Sequence, residues 1–568
     1  MNRVLLPSLD GYARGWVPKD VVAGLVLTAL LVPQGMAYAE LAGLPAVTGL
    51  YTSILCLVGY AVVGPSRILV LGPDSSLGPM IAATILPLVG ADGDPARAVL
   101  LASALAILTG LMMLGAGFGR LGFVADLLSK PTILGYMNGL ALTIVVGQLP
   151  KLLGFSTDAD GFVGEVRALV AGITGGDVVP AAAAIGAFSL VLILLVNRFL
   201  PKVPAVLVAV VAAMALTALL SLGDKGVALV GGLAQGFPRF TLPTVGLQDL
   251  TLLVVGAAGI SLVALADTIS TATSFAERQG AEVDGNREMI GIGTANVAAG
   301  LFQGFPVSTS GSRTAVAESA GARSQVTGLV GAAMIALMLV ALPNLLANLP
   351  QATLGAVVIA ASISLADLPA TARLYSQRRT DFVLSTAAFL SVVLFGVLAG
   401  IVIAIALSVG NVFRRVWWPY RATLGRVEGL RGVHDLTQHP DAAVLEGCHI
   451  YRFDAPLIFA NARTFREDVR RIASEGARWV IVAAEPITDV DTTACDMIED
   501  LVAALDRDGV HLAFAEMKTV VRRKLAQYGL EQALTADHFY PTLGAAIDAY
   551  RESTGAAWVP PGPRDVER

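Results

Sequence analysis

Histidine is absent before His434, and only three cysteines, Cys56, Cys448 and Cys495, are spread over 568 residues. The cysteines have no metal-ligand spacing, and Cys56 sits in an apolar run away from the other two, which argues against a disulfide framework or a thiolate metal site. Charge is scarce too. Asp, Glu, Lys and Arg make up 15% of the chain against 55% hydrophobic residues, a balance unlike that of a soluble globular protein. The net charge of −5 is modest and gives no reason to invoke a nucleic acid. The first twenty residues lack the charged, apolar, small-residue order of a cleaved signal peptide, so the first apolar segment is expected to double as the insertion signal.

What is abundant is apolar sequence, with a mean hydropathy of +0.70. A bilayer core about 30 Å thick needs roughly 17 to 25 helical residues to cross. Runs of that kind recur from about Asp20 to Phe413 and then stop. About fourteen spans are expected, near 20–39, 47–64, 73–90, 97–117, 127–149, 179–197, 203–222, 248–275, 288–303, 308–320, 325–347, 352–366, 381–399 and 400–413. Of the 39 Lys and Arg, 19 lie from Arg414 onward, and all five histidines follow as well. Among the spans, Lys and Arg alternate between loops in a way that places the amino terminus and everything after Arg414 in the cytoplasm, with a loop at about 150–178 outside.

Several spans are short and interrupted by Gly or Pro, the pattern of discontinuous helices whose free ends line a buried site. The third begins LGPDSSLGP and the tenth FPVSTSGSR, in corresponding places of two seven-span halves. The first, ending LVPQGMAYAE, corresponds to the eighth, which carries ALADTISTATSF. This is the pattern of an inverted repeat. After Arg414, β-rich runs (HIYRF, PLIFA, RWVIVAA, HLAFA) alternate with helix-period stretches at about 461–474, 493–506, 518–527 and 541–552, which reads as a small α/β domain. The expected organisation is a segment at 1–19, a membrane domain at 20–413, a linker at 414–442, an α/β domain at 443–555 and a disordered tail at 556–568.

An anion inside a membrane needs positive potential, and a half-helix amino terminus supplies about half a charge together with unpaired N–H donors. Ser308, Thr309, Ser310, Gly311 and Ser312 open the tenth span, followed by Arg313, the lone Arg between about 288 and 322. Arg313 either faces the site, snorkels to the surface or pairs structurally with an acid. Opposite, Asp74, Ser75 and Ser76 open the third span. Asp74 is either a helix cap or, if it faces an anion, a group that must be protonated, which points to proton coupling. Asp267, Ser270 and Thr271 share one face of the eighth span and suit either Na⁺ or a proton, or make Asp267 a structural acid bonded only to the neighbouring hydroxyls. Gln34, between Pro33 and Gly35, is a neutral polar group at similar depth, open to a packing role or a binding role. Glu40, near a span end, reads as solvated. In the α/β domain no nucleophile, base and oxyanion constellation appears, and the histidines lack zinc spacing, so no enzyme activity is expected.

The runs VPQGMAYAELAGLP, PAVTGLYTSILCLVGYAVVGPSR, LGPDSS and FPVSTSGSRTAVAESAGA resemble the sulfate permease (SulP), or solute carrier 26-type, family of anion transporters. The carboxy-terminal domain resembles the STAS domain of that family. The resemblance implies a seven-plus-seven inverted repeat divided into core and gate domains, with the anion between the third and tenth half-helices. It makes Gln34, Ser75, Ser76, Ser312 and Arg313 the anion contacts. Asp267 stands where prokaryotic members carry an acidic residue linked to cation coupling, and Thr271 where a sodium-coupled bicarbonate relative has a cation-ligating threonine. With Ser270 and Asp74 these form the expected coupling set, and Asp267 with Thr271 the place for any Na⁺. Asp74 departs from the apolar residue usual in animal members. Thr493 aligns with the phosphorylated serine of anti-sigma antagonists.

The resulting expectation is a homodimeric cell-membrane symporter of a small inorganic anion, with sulfate first, driven by H⁺ or Na⁺ through an elevator-like motion, without other cofactors. Na⁺-coupled bicarbonate or H⁺-coupled dicarboxylate transport, an uncoupled exchanger or channel, and a regulator acting through a partner of the STAS domain are the alternatives.

Overall fold

The computed structural model describes residues 7–559 apart from 11, 91–92, 123–128, 158, 160, 201–202 and 280–281. It divides between Val409 and Gly410 into two compact units.

The first unit is helical. Its elements are α1 (Val17–Leu41), α2 (Ala46–Val63), β1 (Leu71–Gly72), α3 (Gly78–Val89), α4 (Pro95–Phe118), α5 (Lys130–Leu153), α6 (Gly161–Gly175), α7 (Pro180–Phe199) and α8 (Ala205–Leu220). They continue with α9 (Leu247–Gln279), α10 (Gly285–Leu301), β2 (Ser308–Thr309), α11 (Gly311–Ser319), α12 (Val326–Ala341), α13 (Gln351–Leu365), α14 (Leu368–Gln377), α15 (Arg379–Phe395) and α16 (Val397–Trp417). Every expected span has its helix. Among the described residues, eight helices are long and apolar enough to cross a membrane. Large apolar side chains such as Phe199, Val211 and Leu219 are exposed, as lipid-facing positions require.

The succession helix, helix, short strand, short helix occurs twice, as α1, α2, β1, α3 and again as α9, α10, β2, α11. β1 and β2 pair antiparallel, Leu71 opposite Thr309 and Gly72 opposite Ser308. This places the two short helices beside a common two-stranded ribbon. Two bundles result. α1 to α4 pack with α9 to α12, and α5 to α8 pack with α13 to α15, while α1 touches α8 and α13 across the divide. Close packing in the first bundle depends on glycine. A Cβ on Gly49 of α2 would lie 1.9 Å from the Gly35 carbonyl oxygen of α1, so only glycine lets these backbones meet. That contact fixes the rotation of α1 around Gln34.

The expected external loop at 150–178 is not a plain loop, because α5 runs on to Leu153 and α6 fills Gly161–Gly175. The glycines at 161, 164, 172 and 175 had masked its helical period.

The second unit carries β3 (Arg421–Gly425), β4 (His434–Asp435), β5 (Val444–Leu445), β6 (Cys448–Phe453), α17 (Ala462–Ser474), β7 (Trp479–Ala483), α18 (Thr492–Arg507), β8 (His511–Ala515), α19 (Thr519–Gln527), β9 (Phe539–Tyr540), α20 (Leu543–Thr554) and β10 (Trp558–Val559). β6, β7, β8 and β9 are parallel neighbours, with β5 and β10 antiparallel beyond β6. Phe453, Phe465, Val480, Leu501 and Phe514 are among the buried core residues between sheet and helices.

Two boundaries and one strand differ from the sequence reading. The linker is shorter than 414–442, because β3 already pairs with β6. The domain runs past 555, since Ala556 is buried and β10 pairs with β5; residues 560–568 lie outside the described part. PLIFA is not a strand. Only Leu457 bridges, to Val490, and the Asn461 side chain takes up the Ile458 N–H and the Pro456 carbonyl, closing a turn.

Candidate anion site

A cavity of about 570 Å³ separates the two bundles. One wall comes from α1, the turn before α3, α9 and the start of α11, and the other from α7, α8 and α13. Gln34, Asp74, Ser75, Asp267, Ser270, Thr271, Ser312 and Arg313 all line it. Its open side is marked by Asn197, Ser270, Ser312 and Ser364, which are exposed.

Arg313 is the center of the first wall. Ser310 caps α11 by accepting the Arg313 N–H at 3.5 Å and contacts the Ser312 hydroxyl at 3.1 Å. Thr314 ties the helix to the partner segment by accepting from the Val70 N–H at 3.1 Å. The guanidinium is 1% exposed. Its Nη1 donates to the Pro73 carbonyl at 2.6 Å, and Nη2 lies 3.8 Å from Asp74 Oδ2. Nε and Nη2 have no hydrogen-bond partner. Those two nitrogens form the side-on edge of a guanidinium, the edge that takes two oxygens of one oxyanion. The snorkelling alternative is excluded by burial, and the acid that Arg313 meets is Asp74.

Asp74 turns the chain into α3. Its carbonyl accepts from Gly78 N at 3.2 Å, and its Oδ1 accepts from the Ser76 N–H at 2.9 Å and the Ser76 hydroxyl at 2.8 Å. The same Ser76 Oγ lies 3.1 Å from Asp267 Oδ2. Asp267 is therefore bonded across to the α3 segment rather than only to the hydroxyls of its own helix. Ser76, implied as an anion contact, sits buried behind the wall and joins the two acids. Ser270 and Thr271 stand on the wall beside Asp267.

The sequence reading missed Tyr38 and Asn197, which line the same cavity. Tyr38 was within reach, one helical turn beyond Gln34 on the same face; Asn197 stood near a span end with no such signal. Glu40 is not simply solvated, since Lys151 of α5 donates to its carboxylate and the two side chains are 14% and 24% exposed. Two further buried acids do other work. Asp20 accepts from the Arg323 and Ser324 N–H groups at the start of α12, and Glu288 accepts from Tyr60 and Ser66. In the second unit Thr493 is exposed in the first turn of α18, next to Asp491, which caps that helix by accepting from Ala494 N at 2.8 Å.

Residues 17–388 match the sulfate permease family and residues 439–546 the STAS domain. A Mycobacterium tuberculosis protein named "Probable sulfate transporter" is 40% identical over 543 residues, 95% of this chain and 96% of that one. Sulfate transporter 1.1 of Arabidopsis thaliana is 29% identical, across 94% of this chain and 87% of its own. The fold is similar to that of a murine solute carrier 26 family anion transporter in the inward-facing state, with a TM-score of 0.88 at 24% identity over 97% of this chain and 94% of that one. It is also similar to the transmembrane domain of a cyanobacterial bicarbonate transporter, with a TM-score of 0.61 at 22% identity over 70% of this chain and 98% of that one. The chain is a multi-pass membrane protein that belongs to the sulfate permease family and carries a carboxy-terminal STAS domain.

Proposed function

We propose that the protein is a secondary active transporter that moves a small oxyanion, sulfate before others, together with a cation. The observation that carries this is the charge of the cavity wall. The wall carries one guanidinium, Arg313, and two carboxylates, Asp74 and Asp267. With all three ionised the wall is net negative and repels an anion; a bound cation on either carboxylate removes that obstacle. An uncoupled channel has no use for such an arrangement. The Nε and Nη2 edge of Arg313, enclosed in this structure but without a hydrogen-bond partner, suits a tetrahedral oxyanion once uncovered, and the relatives named as sulfate transporters support the same choice.

The placement of the cavity between two bundles supports alternating access by motion of one bundle against the other. The Lys and Arg distribution supports cytoplasmic termini, and the STAS domain suits a homodimer. A second reading has Na⁺ as the driving ion, favoured by Ser270 and Thr271 standing with Asp267 on one wall as oxygen ligands. Reconstituted protein offered a panel of radiolabelled anions under imposed pH or Na⁺ gradients tests both. Concentrative uptake of sulfate under an inward proton gradient supports the first reading and uptake under Na⁺ alone the second; conductance without accumulation refutes both.

A further inference from the structure

The contacts around Ser76 contain one hydrogen too few. Its hydroxyl has a single proton to donate, yet Oγ lies within hydrogen-bonding distance of two carboxylates, 2.8 Å from Asp74 Oδ1 and 3.1 Å from Asp267 Oδ2. Two ionised carboxylates could share that one O–H only as a weaker, bifurcated bond. Both contacts are satisfied when one carboxyl carries a proton and donates it to Oγ while Oγ donates to the other. The titratable and charged groups facing this chain are Arg313 beside Asp74, Tyr38 of α1 on the shared cavity wall and Tyr136 of α5 beside Asp267.

Asp74 reaches the other way as well. Its second oxygen lies 3.8 Å from Nη2 of Arg313, one of the two nitrogens with no hydrogen-bond partner. An oxyanion bound to the Nε and Nη2 edge would bring its own negative oxygens against that carboxylate.

We propose that Asp74 and the transported anion are alternative occupants of Arg313, exchanged by one proton that Asp74 shares with Asp267 through Ser76. Without the proton, Asp74 stays paired with Arg313 and repels the anion. A proton arriving from water on the open side of the cavity neutralises the Asp74, Ser76 and Asp267 chain, Asp74 releases the guanidinium, and the anion takes the side-on edge. Proton and anion then bind together or not at all, which is the condition for symport. This deepens the proposed function and rests on it; it also identifies the coupling ion as H⁺ and assigns Asp74 a role distinct from that of Asp267.

The test is proton uptake on anion binding, read with a pH indicator in weakly buffered detergent solution while sulfate binding is followed by calorimetry on the full chain. The parent protein is expected to take up about one proton per sulfate, with affinity falling about tenfold for each pH unit above its midpoint. Asp74→Asn, which leaves no ionised group to compete for Arg313, is expected to bind sulfate with less dependence on pH than the parent over the same range and to take up less than the parent's proton. Ser76→Ala, which removes only the bridging hydroxyl, is expected to shift the midpoint of sulfate binding, and it decides the matter if Asp74→Asn does not fold. The inference is overturned if Asp74→Asn takes up the parent's proton, or if Ser76→Ala leaves the midpoint unchanged. A parent protein that binds sulfate with no proton uptake also overturns it, while leaving Na⁺-driven transport standing. A parent that binds no anion of the panel overturns the transport reading itself.

Discussion

Gly72 lies directly beneath the guanidinium of Arg313. A Cβ on Gly72 would stand 3.3 Å from Cζ and Nη1 and 3.4 Å from Nη2, closer than such contacts ordinarily come. Gly72→Ala therefore forces the guanidinium to shift by a few tenths of an ångström. The expected result is a sulfate affinity lowered about tenfold, by roughly 1.4 kcal/mol, with little change in melting temperature. Calorimetry and thermal unfolding in detergent measure the two separately.

Arg313→Ala removes the charge itself. Loss of one charge-assisted contact costs about 1.5–3 kcal/mol, or roughly ten- to a hundredfold in affinity. A folded Arg313→Ala protein that binds its anion like the parent would make the residue purely structural.

Lys151 and Glu40 tie the end of α5 in one bundle to the end of α1 in the other. Cavities of about 450 and 470 Å³ are each lined by both residues, so separation of the bundles at this end breaks the pair. Glu40→Gln and Lys151→Gln are each expected to shift the balance of the two access states two- to fivefold, the worth of a partly exposed ion pair. The exchanged pair Glu40→Lys with Lys151→Glu should restore it. Labelling of a thiol engineered at Ala361, on the cavity wall, by an impermeant maleimide from each membrane face reads the balance. Equal labelling in all variants would remove the pair from the access cycle.

In the STAS domain His511 stacks on His538, with ring centroids 4.6 Å apart, and lies against Trp479 at 4.4 Å. Burial first, and then His538, holds His511 below the ordinary histidine range. The folded domain therefore binds fewer protons here than the unfolded chain. Its stability is complete above the ordinary value of about 6.5 and falls as pH drops below it. Hydrogen-exchange protection across His511–Ala515, taken relative to the intrinsic exchange rate at each pH, is expected to fall between about pH 6.5 and 5, and His511→Gln to flatten that dependence.

Much of this architecture was legible because membrane spans and strands announce themselves by length and period. HLAFA is β8 residue for residue, and α17 begins within one residue of its expected start. The two half-helices were legible from Gly, Pro and Ser clusters in matching places. What the sequence could not carry was pairing at a distance. Arg313 with Asp74, and Ser76 with Asp267, lie far apart in the chain and meet where β1 pairs with β2 and where α3 packs on α9. For the same reason Glu40 read as a lone solvated acid, since its partner Lys151 lies four helices further on. Short edges such as β10 carry too few residues to show a period at all.

The most direct test of the account is gradient-driven uptake by Asp267→Asn, whose side chain is nearly isosteric with the original but can neither exchange a proton nor carry charge to a cation. In liposomes with an imposed inward proton or Na⁺ gradient, the parent is predicted to accumulate radiolabelled sulfate above the outside concentration, and Asp267→Asn to lose that accumulation while remaining folded. Accumulation by Asp267→Asn equal to the parent's, with the same dependence on pH and Na⁺, would contradict cation coupling through this site.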